Sequence, residues 1–108
     1  MPEASAVTSA SAIAAALPQG AAAYAALLEH GQGTVGYYVL TGPDPQGPHK
    51  RDEVYLIAEG SGTFVHGDER SPFGPGDLIF VAAGVPHRFE DFGARMATWV
   101  LFFGPKPG

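Results

Sequence analysis

From Thr34 onward the chain is a succession of short β-prone runs, cut at close intervals by glycine and proline turns. The runs cover 35–41, 53–58, 62–66, 69–73, 77–82, 87–91 and 95–103, and most are rich in β-branched and aromatic residues. Gly60, Gly67-Asp68, Gly74-Pro75-Gly76, Gly84-Val85-Pro86 and Gly93 separate them, and a Pro/Gly loop without regular structure fills 42–48. Many short strands between such turns predict an all-β antiparallel sandwich or barrel. No internal repeat and no alternation of strands with helices competes with that pattern.

The first 33 residues read differently. Residues 1–8 are expected to be loose, and Ser9 or Ser11 to cap a short helix through Leu17 that Pro18 stops. A second helix is expected over 21–29, with Tyr24, Leu27 and Leu28 on one face and an end near Gly31. These divide one domain into an N-terminal helical segment, 1–33, and a β-barrel, 34–108. The helices would cover a barrel edge or a subunit contact.

Bulk properties narrow the functions. The Ala-rich start carries Glu3 early, lacks a basic leader and is broken by Pro18 and Gly20, so it is read as part of a soluble, mature chain. No apolar run reaches the ~20 residues that span a bilayer. A formal charge of −5 argues against nucleic acid or an anionic membrane as partner. Without cysteine there is no disulfide framework, thiolate zinc site or cysteine nucleophile, which suits a reducing cytoplasm.

Three residues carry chemistry. His49 and Glu53 share a frame that closes at Gly60, and His87 follows the Gly84-Val85-Pro86 turn. Two imidazoles and a carboxylate form a competent divalent-metal set, the facial triad that leaves coordination positions open. Along a straight strand His49 and Glu53 would lie ~13 Å apart, so both can reach one ion only if the chain reverses at Lys50-Arg51-Asp52. Alternation then sends Glu53, Tyr55 and Ile57 to one face and Val54, Leu56 and Ala58 to the other. His87 enters its strand at the first position, with Phe89 on the same face. Arg88 and Arg95 are read as balancing Glu90 and Asp91, and Asp77 as a turn cap.

These frames resemble the two motifs of the cupin superfamily, over roughly residues 34–103. His49 stands at the second-histidine position of the first motif, Glu53 at the glutamate and Gly60 at the closing glycine. Gly47 stands where the first histidine would be, and His66 or Gln46 could substitute for it. In the second motif Gly76, Gly84 and His87 are in register, with Ala82 for proline and Asp91 for asparagine. The resemblance implies an antiparallel double-stranded β-helix, the jelly-roll barrel of small bacterial cupins. It also implies a divalent ion (iron, manganese, nickel, zinc or copper) on His49, Glu53 and His87, with Glu53 as ligand, base or both. Tyr55, Phe80 and Phe89 would line a pocket for a small polar molecule. The activity implied is that of a metal-dependent oxygenase or isomerase; the alternatives are non-catalytic binding of a metabolite or sugar, and a purely structural role. A homodimer is implied as well, and the C-terminal run Ala97 to Phe103, apolar on both faces, supports it.

Overall fold

The computed structural model describes residues 7–17 and 20–104. A short helix, α1 (Ala10–Ala16), precedes eight strands: β1 (Ala22–His30), β2 (Gly33–Leu40), β3 (Asp52–Glu59), β4 (Gly62–His66), β5 (Glu69–Phe73), β6 (Leu78–Val81), β7 (His87–Glu90) and β8 (Met96–Phe103). They form a five-stranded sheet, β1-β2-β8-β3-β6, and a three-stranded sheet, β5-β4-β7. Every pairing is antiparallel. This is the expected jelly roll, its two sheets held by side chains rather than by one continuous ladder. Leu40, Tyr55, Ile57, Val81, Met96 and Val100 of the larger sheet meet Phe64, Phe73 and Phe89 of the smaller in one buried cluster. The rings of Tyr55, Phe64 and Phe89 lie 4.9–6.0 Å apart, within the range of favourable aromatic pairing.

Ser9 is the N-cap of α1, its hydroxyl accepting from the Ala12 amide at 3.4 Å. Ile13, Ala14 and Leu17 pack on Tyr37, Val39 and Ala97, the outer face of the larger sheet. Pro18, expected to end the helix, and residues 1–6, expected to be loose, lie outside the described residues. The second helix is corrected by the structure: Ala22–His30 is strand β1, and His30 ends a strand rather than a helix. The alanine-rich composition favours a helix by only a few tenths of a kcal/mol per residue. Pairing with β2 along its whole length, from Ala22 opposite Leu40 to His30 opposite Gly33, outweighs that preference. Gly31, at φ 58°, serves the hairpin turn, although the same left-handed conformation also ends helices.

In β3, Glu53, Tyr55 and Ile57 are buried while Leu56 is exposed, so the inward parity is the one that alternation predicts. Two ties join the loop before β3, and the first residue of β3, to the turn before β7. The Gly84 amide donates to the His49 carbonyl at 2.8 Å, and the Ala83 amide to the Asp52 carboxylate at 2.8 Å. These bonds bring the two glycine-punctuated frames, more than thirty residues apart in sequence, to one end of the sheets. None of the helices among the described residues is long and apolar enough to cross a membrane.

Candidate metal centre

Glu53 enters from the second position of β3, His87 from the first of β7, and His49 from the loop ahead of β3. One ligand atom from each lies within 4.8 Å of the others. His87 Nε2 is 2.7 Å from Glu53 Oε1, and His49 Nε2 is 3.8 Å from the same oxygen. Donors about 2.0–2.2 Å from one ion stand at most about 4.4 Å apart, so a contraction of a few tenths of an ångström converges the set.

The state of Glu53 tests whether the site suits a cation. Its side chain is 1 % exposed, yet neither oxygen receives a hydrogen bond of acceptable geometry. A buried carboxylate left in this condition costs several kcal/mol unless a positive charge meets it. The positive charge within reach is that of a protonated His87 ring, whose Nε2 lies 2.7 Å from Oε1. The His87 Nδ1–H donates to the Val85 carbonyl at 2.8 Å, leaving Nε2 to face the carboxylate. Such a second bond fixes the tautomer and orientation of metal-binding imidazoles. Burial pulls the His87 pKa down, but the Glu53 carboxylate and the Val85 carbonyl prevail and hold it above the ordinary value. A divalent ion would take the place of that proton. The residues therefore fit the metal that their types imply.

A cavity of about 170 Å³ opens over His49 and Glu53, walled by Tyr24, Tyr38, Tyr55 and Phe102. Drug-sized pockets run from about 300 Å³ upward, so this one admits a small molecule. Tyr24 reaches it by lying across Gly36, where a β-carbon would come within 2.3 Å of the Tyr24 hydroxyl oxygen. Burial, then the charge of Glu53, pushes the Tyr55 hydroxyl far above its usual range, so it stays a donor. It stands 3.0 Å from His87 Nε2 and 2.9 Å from the Gln46 amide oxygen.

Other expected site residues fall elsewhere. Phe89, 1 % exposed, packs behind Tyr55 in the core rather than on the cavity wall. Phe80 is half-exposed on the opposite parity of β6 from Val81, with its ring against Phe103. His66 lies opposite His87 in the β4–β7 ladder, outside the donor cluster. Arg88 pairs with Glu90 as expected, whereas Arg95 pairs with Glu59 at 3.2 Å. Sequence reading missed Asp44, which accepts from the Tyr38 hydroxyl and the Phe89 amide. The one available signal was an Asp two residues before Gln46, whose amide it accepts in an Asx turn.

Comparisons with known proteins bear on this geometry. The family described as Cupin domain matches residues 41–103. The uncharacterized protein SCO3923 of Streptomyces coelicolor is 33% identical over 86 residues, which are 78% of this chain and 82% of that one. A cupin 2 conserved barrel domain protein from Rhodopseudomonas palustris has a TM-score of 0.69 at 16% identity, over 81% of this chain and 63% of that one. A predicted oxalate decarboxylase from Thermotoga maritima has a TM-score of 0.65 at 21% identity, over 76% of this chain and 79% of that one. At such identities the two structures speak for the fold alone, and this chain spans less than two thirds of the Rhodopseudomonas protein. Asp91, at the motif's asparagine position, has φ 54°, a conformation that Asn and Asp tolerate better than other side chains. With the family match running through His49, Glu53 and His87 and over more than half its length, the chain belongs to the cupin family.

Proposed function

We propose that this protein is a small metal-binding cupin whose His49, Glu53 and His87 hold a divalent ion. A small polar molecule, held in the cavity over them, would undergo an isomerase or oxygenase reaction. The observation that carries the reading is the buried Glu53 carboxylate, faced by the His49 and His87 imidazoles with one ligand atom of each within 4.8 Å of the others. A bound ion supplies Lewis-acid polarisation of a substrate oxygen or, if redox-active, oxygen activation. Iron, manganese, nickel, zinc and copper all suit this donor set. Glu53 serves as ligand and, when released, as base. Tyr55, kept protonated, donates to the Gln46 amide oxygen at the cavity floor, while Tyr24, Tyr38 and Phe102 shield the cavity from water. Elemental analysis of protein purified without chelators tests the site: metal in the parent and none in His49→Ala or His87→Ala supports it. Metal retained by both variants, or turnover that survives chelation, counts against it.

A second reading, a binding module that holds a metabolite or sugar without turnover, draws on Gly47. It brings no side chain to the position of the family's first histidine. Thermal stabilisation by such a ligand without product formation would favour it.

A homodimer in the cytoplasm belongs to the same proposal. Leu56, Leu78, Phe80 and Phe103 are exposed on the outer face of β3, β6 and β8, beside the part that α1 covers. A contiguous apolar strip of this kind suits a second copy of the chain. Phe80→Glu should convert the dimer to monomer in analytical ultracentrifugation; a parent that is already monomeric ends this part of the reading.

A further inference from the structure

Gln46 sits in the loop ahead of β3, and its side chain reaches into the donor cluster. Its amide oxygen is 3.0 Å from His49 Nε2 and 2.9 Å from the Tyr55 hydroxyl, and its amide nitrogen is 2.7 Å from Asp44 Oδ2. An ionised carboxylate only accepts, so the amide must turn its NH₂ toward Asp44 and its oxygen toward the site. Asp44 is itself immobilised by the Tyr38 hydroxyl at 2.7 Å, the Phe89 amide at 2.9 Å and the Gln46 amide at 3.2 Å. Orientation of the Gln46 oxygen is therefore built in, from β2 and β7 through Asp44.

We propose that Gln46 gives the ion a fourth protein donor, its amide oxygen, and that Asp44 is the positioning residue that holds it there. The inference rests on the metal reading above and adds to it. Two ligands about 2.1 Å from one ion at a right angle stand about 3.0 Å apart, which is the spacing of Gln46 Oε1 and His49 Nε2. A carbonyl oxygen has two lone pairs: one accepts from Tyr55 and the other faces the ion. The donor lost at Gly47 is replaced from the adjacent residue, with oxygen in place of nitrogen. The resulting two-nitrogen, two-oxygen set favours harder divalent ions, manganese and ferrous iron, more than a three-imidazole set would.

The test uses the full chain, stripped with chelator and titrated with Mn²⁺ alone, followed by Co²⁺ absorption spectra. Gln46→Leu should weaken Mn²⁺ binding about 10-fold or more and shift the Co²⁺ band, with His49, Glu53 and His87 untouched. Binding by Gln46→Leu within about two-fold of the parent, with an unchanged Co²⁺ band, overturns the inference while leaving the three-ligand site intact. A parent that binds neither ion overturns the metal reading, and this inference with it. Should Gln46→Leu fail to fold in chelator, the exchange of acid and amide in Asp44→Asn with Gln46→Glu decides. A carboxylate at the site should then tighten Mn²⁺ binding and shift the band, and parental affinity with a parental band overturns the proposal.

Discussion

His87 and His49 bring the same ring to the same point from unlike settings. The His87 side chain is fully buried, begins a strand, and is held at both nitrogens, by the Val85 carbonyl and by the Glu53–Tyr55 pair. The His49 side chain is 34 % exposed, hangs from a loop, and leans on Phe102 and Gln46. One donor is part of the core; the other is separable from it. Stability and metal binding should therefore be coupled at His87 and uncoupled at His49.

The largest effect expected is on His87→Ala. It strands the Glu53 charge and should cost about 3–5 kcal/mol in urea unfolding with chelator present. A cost below about 1 kcal/mol would erase the contrast between the two histidines. Tyr55→Phe removes the hydroxyl between Gln46 and His87 and should cost about 1–2 kcal/mol by the same measurement. His49→Ala should cost less than about 1 kcal/mol, because its ring is partly solvated and hangs from a loop, yet abolish metal binding as completely as His87→Ala. Equal destabilisation by both alanines would show that the loop donor is as integral as the strand donor.

The smallest effect lies outside the site, on Glu90. Arg88, and then Arg70, hold its carboxyl below the ordinary 4.5. A depressed carboxyl stabilises the fold above its unfolded value and loses that contribution as pH falls through its folded one. Glu90→Gln should accordingly lower the melting temperature slightly near neutral pH, and the difference should close in acid and in high salt. A difference that persists in both would point to packing rather than charge.

Most of the β architecture could be read from the chain, because turns from Gly60 to Gly93 mark strand ends and burial selects one parity in β3, β6 and β7. β1 was hidden: Ala and Leu favour helix locally, and only the ladder with β2, at the far side of the Gly31 turn, decides otherwise. His49, Glu53 and His87 stood out because motif frames fix their positions. Asp44 was invisible, since its partners Tyr38 and Phe89 come from β2 and β7 and no spacing announces such bonds. Phe80 shows the limit of counting aromatics: hydrophobicity names wall candidates, but its pairing opposite Val54 puts it on the outside.

The paired bonds from Gly84 to His49 and from Ala83 to Asp52 are backbone-anchored and involve no ligand atom. If an ion is held there as proposed, its loading would be docking into a finished berth rather than a folding event. Occupancy would track the supply and exchange rates of ions in the surrounding pool, so the same shell could do different work as that supply changes.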